Sequence, residues 1–327
     1  MKAIVYTRYG PPDVLQCKEV ATPTPADDQV LIKVCAASVN PLDWHFMRGE
    51  PLFIRLMTGL RTPKHTVLGS DIAGRIEAVG ANVKLLQPGD EVFGGLGVGG
   101  FAEYACATEN QLSLKPANLS FEEAAAVPIA AVTALQGLRD KGQIKPGSKV
   151  LVDGASGGVG TFAIQIAKSF GAEVTAVSSA GKLETARSLG ADYVIDYAQK
   201  DFTRSGLHYD LILGANAYHS IFDYRRALSP GGICVIVGGN ASFLGMLEGM
   251  LLGPLLSLIG HKKSSSFMAN MNSKDLDFLK HLLEAGKVVP VLDRRYPFSE
   301  LAEAIRYLEE GHARGKVVIA FEHSTSA

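Results

Sequence analysis

The spacing of hydrophobic residues divides the chain into two regions that meet near residue 121. Before this point, short hydrophobic segments such as residues 30–34 and 72–79 are separated by Gly and Pro, which is typical of a small β-barrel. After it, apolar segments alternate with helical stretches, which predicts an α/β domain with a doubly wound parallel sheet of six strands. The predicted strands span residues 149–152, 173–177, 193–195, 210–213, 233–237 and 265–268, and the predicted helices span 158–170, 182–189, 218–228, 242–258 and 274–285.

The α/β region is predicted to interrupt the β-rich region. Ser120, followed three residues later by Glu123, is a capping-box signal for the first helix of the α/β region. The end of the chain returns to a strand near 288–291, a helix over 299–310 and a closing strand over 316–320. We therefore predict one domain from residues 1–122 and 287–327 and a second from residues 123–286.

Composition excludes several classes of protein. The 32 Lys and Arg residues balance 33 Asp and Glu residues, so no basic excess supports nucleic-acid binding. The four Cys residues are scattered without a Cys-x-x-Cys pair, which favours a reduced compartment, and we expect a cytoplasmic protein. An apolar run over 243–259 contains Gly, Pro and Glu248 and is too short to span a membrane. Segment 240–264 lines a substrate pocket, packs at a subunit interface or leans on a membrane surface.

A glycine-rich loop follows the strand predicted at residues 149–152. Ala155, Gly157 and Gly160 reproduce the dinucleotide-binding fingerprint, with Ala in place of its first Gly, and a helix begins at once. Small residues are needed here because a side chain would keep pyrophosphate from the backbone N–H groups at the helix N-terminus. The residues predicted to bind the pyrophosphate are Ala155, Ser156, Gly157, Gly158, Val159 and Gly160.

The end of the next strand indicates which dinucleotide binds. Sites that select NAD place a carboxylate there to bind the ribose hydroxyls. This chain has Ser178, Ser179 and Lys182 in that stretch and no carboxylate, which favours NADPH over NADH. The alternative for Lys182 is a solvated lysine at the start of a helix. Asn216, Val237 and Gly238 follow other strands of the sheet, where ligands bind in such folds.

With these motifs placed, the chain resembles the medium-chain dehydrogenase/reductase superfamily in its quinone oxidoreductase branch, with most likeness to the chloroplast-envelope quinone oxidoreductase homologues and their bacterial relatives. The resemblance covers essentially the whole chain. It implies a GroES-like β-barrel catalytic domain with a six-stranded Rossmann domain inserted, and homodimers joined along the Rossmann sheet edge. The motifs that carry it span residues 37–44, 69–74, 88–92, 125–134, 154–160, 189–197 and 311–318.

The resemblance also implies roles for individual residues. Asn40 lies beside the nicotinamide and substrate, and the alternative is a turn residue that caps local backbone before Pro41. Trp44 is a candidate wall for a flat substrate, and core packing is the alternative. Thr133 resembles a threonine near the nicotinamide and phosphates. Leu42 and Asp43 share the Asn40 loop, Tyr197 resembles a tyrosine that lies against adenosine, and Gly315 and Lys316 close over the cofactor.

The same resemblance argues against a catalytic zinc ion. Asn40 takes the position of the first ligand of zinc alcohol dehydrogenases. Ser70 and Asp71 follow Gly69 where His and Glu would be, and the third ligand falls near Pro128. Asn, Ser and Pro are not the Cys and His donors that Zn²⁺ needs, so we predict no metal.

These features predict a zinc-independent, NADPH-dependent oxidoreductase acting on small-molecule quinones or α,β-unsaturated carbonyl compounds. A hydride is added to an electrophilic carbon, and hydrogen-bond donors stabilise the resulting enolate. Tyr104, Tyr218 and His45 are candidate proton donors, and water is the alternative. An enoyl-thioester reductase and a non-catalytic dinucleotide-binding sensor or scaffold remain as further hypotheses.

Overall fold

The computed structural model describes residues 1–238 and 261–321, which form two units. Unit 1 comprises Met1–Ile129, Met271–Ala285 and the described residues from Pro290 onward, and unit 2 comprises the described residues of Ala130–Asn270 with Gly286–Val289. The strands are β1 (Lys2–Val5), β2 (Gln16–Glu19), β3 (Gln29–Val39), β4 (Asp71–Val79), β5 (Glu91–Gly95), β6 (Tyr104–Thr108), β7 (Leu112–Leu114), β8 (Lys149–Asp153), β9 (Glu173–Ser178), β10 (Tyr193–Asp196), β11 (Tyr209–Gly214), β12 (Leu228–Ile236), β13 (Lys263–Ser266), β14 (Leu292–Pro297) and β15 (Lys316–Ala320). The α-helices are α1 (Pro41–Arg48), α2 (Ile54–Thr58), α3 (Phe121–Ala125), α4 (Pro128–Gln136), α5 (Gly158–Ser169), α6 (Leu183–Ser188), α7 (Ile221–Arg226), α8 (Ser273–Glu284) and α9 (Leu301–Glu309).

Unit 2 contains the predicted parallel sheet. Its six strands run in the order β10-β9-β8-β11-β12-β13, and every pairing is parallel. The central strands are buried on both faces, so they are continuous apolar runs rather than alternating ones. The α/β prediction is confirmed. The helix predicted over 242–258 and most of segment 240–264 lie outside the described residues.

Unit 1 is built around β3, an 11-residue strand. One side of β3 pairs antiparallel with β4. On its other side, the first half of β3 pairs with β6 and the second half pairs with β15, both antiparallel. The closing strand near the end of the chain therefore completes the sheet of the N-terminal region. The apolar side chains that face inward form one core, which includes Ile32, Ile72 and Ile319.

Three boundaries differ from the predicted ones. Unit 1 extends to Ile129 rather than residue 122, so helix α3 belongs to unit 1 and not to the α/β unit. Helix α8 belongs to unit 1, where Ser113 Oγ donates to Asp277 Oδ1 (2.6 Å) and Asn118 Nδ2 donates to the Leu283 carbonyl (3.0 Å). The strand expected near 288–291 begins at Leu292 instead. The reason is that Gln165 in unit 2 holds the backbone of Val289 through two hydrogen bonds of 2.8 and 3.0 Å.

The predicted helix start at Ser120 is present. Ser120 Oγ accepts from the backbone N–H of Glu123 (3.2 Å), and the Glu123 carboxylate accepts from the backbone N–H of Ser120 (2.8 Å). None of the helices in the described residues is long and apolar enough to cross a membrane.

Candidate functional site

The loop between β8 and α5 in unit 2 has the geometry of a phosphate cradle. Gly154 adopts a positive φ of +79°, and a Cβ there would come within 2.5 Å of Asn216 Cβ. At Gly160 a Cβ would lie 2.2 Å from the Gly154 carbonyl oxygen, so the helix packs against the loop only with glycine at this position. Gly157 differs, because the nearest atom to its Cβ would be 3.6 Å away. Its lack of a side chain leaves space on the outer side of the loop, where a pyrophosphate would approach the backbone.

The other residues of this loop take part in the same turn. Ala155 is buried and its N–H donates to the Val177 carbonyl at 3.0 Å, which ties the loop to β9. Ser156, Gly158 and Val159 are partly exposed at the start of α5. Partial positive charge at this helix N-terminus adds to the cradle.

Carboxyl ends of neighbouring strands lie beside the loop. Asn216 donates its backbone N–H to the Asp153 carbonyl at 3.2 Å. Val237 and Gly238 both donate their N–H groups to the carbonyl of Gly214, at 2.9 and 3.2 Å. The structure therefore brings Asn216, Val237 and Gly238 to one edge of the sheet together with the loop. This edge is where ligands bind in doubly wound sheets.

The end of β9 presents hydroxyl and ammonium groups without a carboxylate. Ser178 is buried, whereas Ser179 and Lys182 are partly exposed on the turn that follows. Tyr197 lies next to this stretch, because its backbone N–H donates to the Ser178 carbonyl at 3.2 Å and its side chain is exposed. The first carboxylate after Ser178 belongs to Glu184, which forms a 3.3 Å ion pair with Arg187. No negative side chain between Ser178 and Leu183 opposes a 2′-phosphate.

A buried pair of hydrogen-bonded residues, which the sequence did not indicate, holds the end of β8 just before the loop. Tyr224 Oη donates to Asp153 Oδ2 at 2.5 Å, and both side chains are buried. Burial raises the pKa of Asp153, and the hydrogen bond from Tyr224 opposes this shift. The one signal in the sequence was an Asp directly after the apolar residues 150–152.

Thr133 lies on α4 and belongs to unit 2, as the loop does. Its side chain is buried, with 8% of the residue exposed. Its predicted role near the nicotinamide stays a prediction.

Unit 1 contains a buried polar cluster centred on Asp71. We call it the Asp71 cluster and define it as Ser38, Asn40, Asp71 and Lys316. Asp71 Oδ2 accepts from Ser38 Oγ (2.7 Å), from Asn40 Nδ2 (2.9 Å) and from Lys316 Nζ (3.2 Å). Its other oxygen accepts from the backbone N–H of Ile129 at 2.9 Å. A fully buried carboxylate is thus stabilised by a buried ammonium and three further donors.

Within the Asp71 cluster the amide of Asn40 is held at both ends. Its Oδ1 accepts from Lys316 Nζ at 2.5 Å, and its Nδ2 donates to Asp71. The second N–H of Nδ2 faces the Ser38 carbonyl at 3.4 Å, which is long for a hydrogen bond. Gly315, just before Lys316, has a φ of +108°, and a Cβ there would meet the Val291 carbonyl at 2.3 Å.

Asp43 fixes the start of α1 beside this cluster. Its carboxylate accepts from the backbone N–H of Asn40 (2.7 Å) and from that of Gly69 (3.2 Å). Burial raises the pKa of Asp43 to about 7, while these two hydrogen bonds act in the opposite direction. The side chain therefore holds the Asn40 turn to the Gly69 turn.

Leu42 and Trp44 lie on α1, and both are partly buried. Trp44 stacks on His45 with ring centroids 3.6 Å apart and also packs against the core of unit 1. Burial lowers the pKa of His45, whose Nδ1 lies 2.8 Å from the Glu50 carbonyl oxygen. Trp44 therefore packs against the core, which was the alternative to a substrate wall, and it is also partly exposed.

The donors in unit 1 do not fit a zinc ion. Ser70 Oγ donates to the Gly97 carbonyl at 2.7 Å, and Asn40 Oδ1 already accepts from an ammonium. The Lys316 ammonium beside Asn40 would repel Zn²⁺, and neither residue supplies the thiolate or imidazole that Zn²⁺ prefers. Residues 1–238 and 261–321 contain no group of three His, Cys, Asp or Glu side chains arranged to hold a metal.

Family comparisons agree with this architecture. Residues 26–117 match the alcohol dehydrogenase GroES-like domain, and residues 189–319 match a family described as zinc-binding dehydrogenase.

Similar proteins cover nearly the whole chain. The 2-methylene-furan-3-one reductase of Solanum lycopersicum is 39% identical over 98% of this chain and 79% of its own length. The chloroplastic NADPH-dependent alkenal/one oxidoreductase of Arabidopsis thaliana is 36% identical over the same shares. The structure of a quinone oxidoreductase from Coxiella burnetii superposes with a TM-score of 0.86 at 31% identity, covering 98% of this chain and 99% of that one. The chain therefore belongs to the medium-chain dehydrogenase/reductase superfamily, among the relatives of quinone oxidoreductases and alkenal/one oxidoreductases.

Proposed function

We propose that the protein is a zinc-independent reductase that transfers a hydride from NADPH to quinones or α,β-unsaturated carbonyl compounds. The observation that carries the proposal is the phosphate cradle at Gly154–Gly160 beside a strand end without a carboxylate. The names of the similar proteins support the substrate class, since they act on alkenals, enones and quinones.

In this proposal unit 2 binds the cofactor. The loop from Ala155 to Gly160 holds the pyrophosphate, and Ser179 and Lys182 bind the 2′-phosphate through charge-assisted hydrogen bonds. Tyr197 lies against the adenosine, because its exposed ring follows β10, whose last residue pairs with Ser178 at the end of β9. Asn216, Val237 and Gly238 contact the cofactor from the adjacent strands. When bound, NADPH supplies the hydride from C4 of its nicotinamide ring.

Residues of unit 1 orient the substrate carbonyl. We assign this role to the second N–H of Asn40 Nδ2, because its 3.4 Å contact with the Ser38 carbonyl is weak enough for a substrate oxygen to replace it. The amide cannot rotate away while Lys316 and Asp71 hold its two ends. An N–H fixed in this way stabilises negative charge on an enolate oxygen without reorganisation. Trp44 offers an aromatic surface to a flat substrate.

The proton that completes the reduction comes from solvent in this proposal. Tyr218 exposes 71% of its surface, and His45 has a lowered pKa and lies against a backbone carbonyl. Neither is organised as a buried general acid. Without a metal, stabilisation of the enolate falls to hydrogen-bond donors of the protein and cofactor.

Oxidation of NADPH, followed by absorbance with a panel of acceptors, tests the proposal. The panel contains 1,4-benzoquinone, 9,10-phenanthrenequinone, 2-alkenals, a γ-ketol and crotonyl-coenzyme A. Turnover of quinones or alkenals with NADPH, in protein stripped of metal by a chelator, is the expected result. Turnover of crotonyl-coenzyme A alone would favour an enoyl-thioester reductase, and no turnover at all would favour a non-catalytic dinucleotide-binding protein. Activity that depends on stoichiometric zinc would contradict the metal-free mechanism.

We also propose that the protein forms a homodimer. Strand β13 supports this, because it pairs only with β12 among the described residues and is thus an edge strand of the sheet. Light scattering should give twice the chain mass, and a monomer mass would contradict the proposal. The cytoplasm stays a prediction, since one of the similar proteins is named as chloroplastic.

A further inference from the structure

One stretch of unit 1 exposes large apolar side chains to solvent. Leu52, Leu56, Met57 and Leu60 expose 72%, 70%, 58% and 69% of their surface. We call these four residues the Leu52–Leu60 patch. Single exposed hydrophobic residues are common on protein surfaces, but a concentration of four within nine residues marks an interaction site.

The exposure is fixed by the structure beneath the patch. Ile54 and Thr58 of α2 are buried, and Tyr9 Oη bonds both Thr58 Oγ1 (2.8 Å) and the Gly59 carbonyl (2.5 Å). The guanidinium of Arg55 lies 4.6 Å from the centre of the Tyr9 ring. Because the inner face of the segment is held in this way, its outer apolar side chains cannot turn inward to leave water.

Within residues 51–70 no carboxylate opposes the cations, and the nearest carboxylate in the chain is that of the exposed Glu50, just before this range. Residues 51–70 contain no Asp or Glu, whereas they contain Arg55, Arg61, Lys64 and His65. Arg61 and Lys64 are exposed, and neither forms an ion pair with the part of the chain that the structure describes. Apolar side chains with cations around them match a bilayer surface, where acyl chains lie below anionic headgroups.

We propose that the Leu52–Leu60 patch docks the protein onto the surface of an anionic lipid bilayer. The apolar side chains enter the boundary between headgroups and acyl chains, and Arg61 and Lys64 pair with lipid phosphates. A second copy of the chain fits this surface less well. A twofold contact of the patch with itself would bring Arg61 and Lys64 of both copies together, and their repulsion opposes such a contact.

Co-sedimentation of the full chain with lipid vesicles tests the proposal. The protein should sediment with phosphatidylcholine vesicles that contain ~30% phosphatidylglycerol and stay in solution with phosphatidylcholine alone. High salt should release a large part of the bound protein, because it screens the headgroup charge. Equal binding to both kinds of vesicle, or binding to neither, would overturn the proposal.

Two double variants separate the contribution of the apolar side chains to vesicle binding from that of the cations. Leu56→Ser with Met57→Ser, and Arg61→Gln with Lys64→Gln, should each lower the bound fraction by about fivefold or more at low salt. Leu85→Ser is the matched control, because Leu85 is 84% exposed and lies outside residues 51–66. Its binding should equal that of the parent chain. Thermal unfolding of each variant shows whether it is folded, since the substituted side chains contribute little to the core.

Three results would assign the patch to something else. Unchanged vesicle binding by Leu56→Ser with Met57→Ser would show that the patch does not dock on lipid. A change from dimer to monomer in light scattering, with vesicle binding unchanged, would assign the patch to a contact between copies. A rise in KM for enones, again with vesicle binding unchanged, would assign it to the substrate site. Binding is measured without substrate, so this proposal stands or falls independently of the proposed reductase activity.

Discussion

Lys316 Nζ donates to Asn40 Oδ1 at 2.5 Å, although the two residues are 276 positions apart in the chain. The same ammonium lies 3.2 Å from Asp71, whose side chain is fully buried. A turn in the N-terminal region and the first residue of the closing strand are thereby joined in one polar cluster. The predicted role of Lys316 in closing over the cofactor is untested, whereas its contact with Asn40 is direct.

Replacing Lys316 should destabilise unit 1 strongly. Lys316→Met leaves the Asp71 carboxylate buried without its countercharge, which typically costs about 3–5 kcal/mol. The free energy of unfolding in urea measures this effect. Lys18→Met is the control, because Lys18 is exposed on β2, and it should change stability by less than about 0.5 kcal/mol. Equal stability of the two variants would show that the ion pair contributes little.

Two glycines of the cradle should respond differently to alanine. Gly160→Ala brings a Cβ within 2.2 Å of the Gly154 carbonyl oxygen and should destabilise the fold by about 1–3 kcal/mol. Gly157→Ala has 3.6 Å of clearance, so it should keep the stability of the parent chain and yet weaken NADPH binding about tenfold or more. Thermal unfolding and a fluorescence titration with NADPH measure the two effects. Normal NADPH affinity in the Gly157 variant would place the pyrophosphate elsewhere.

Lys182 should distinguish the two dinucleotides. Lys182→Ala removes one charge that we assign to the 2′-phosphate, and loss of a charged hydrogen bond worth roughly 1.4 kcal/mol would raise the KM for NADPH about tenfold. The KM for NADH should change less than about twofold, because NADH has no 2′-phosphate. Lys200→Ala, an exposed lysine of the same unit, serves as the control. A parallel rise for both cofactors would show that Lys182 binds a part that they share.

The raised pKa of Asp43 predicts a pH dependence of stability. The pKa of Asp43 is about 7 in the folded protein and about 3.9 in the unfolded chain. Between these two pH values the folded state therefore holds a proton that the unfolded state has lost. The stabilisation that comes from this proton on Asp43 is therefore complete below about pH 4. As the pH rises toward 7, the free energy of unfolding falls by up to about 1.4 kcal/mol per pH unit. Urea unfolding at several pH values should show the loss in the parent chain relative to Asp43→Asn. Parallel pH profiles of the two proteins would contradict the assignment.

The two units differ in how much their sequence predicts. In unit 2, strand and helix alternate within short stretches, and the loop from Gly154 to Gly160 lies between β8 and α5 as its local pattern predicts. Gly160 packs against Gly154, which is only six residues away in the chain. One local motif therefore encodes both the local fold and the candidate site. The sheet order then follows from the rules that govern parallel strands.

In unit 1 the informative contacts are distant along the chain. Ser38 and Asp71 are polar residues beside apolar neighbours in β3 and β4, which shows that each needs a partner but not which one. Lys316 meets Asp71 only because β15 pairs with β3, and no local periodicity encodes that pairing. Helix α8 was predicted as a helix but assigned to the other domain, since its contacts with Ser113 and Asn118 are also long-range.

The pairing of β15 with β3 also imposes an order on folding during synthesis. While the ribosome is still adding the residues of unit 2, the second half of β3 lacks one neighbour, and Asp71 lacks its countercharge. All of unit 2 precedes Lys316 in the chain. The α/β sheet can therefore form while the chain is being made, whereas the polar cluster that holds Asn40 is assembled only after Lys316 has been added.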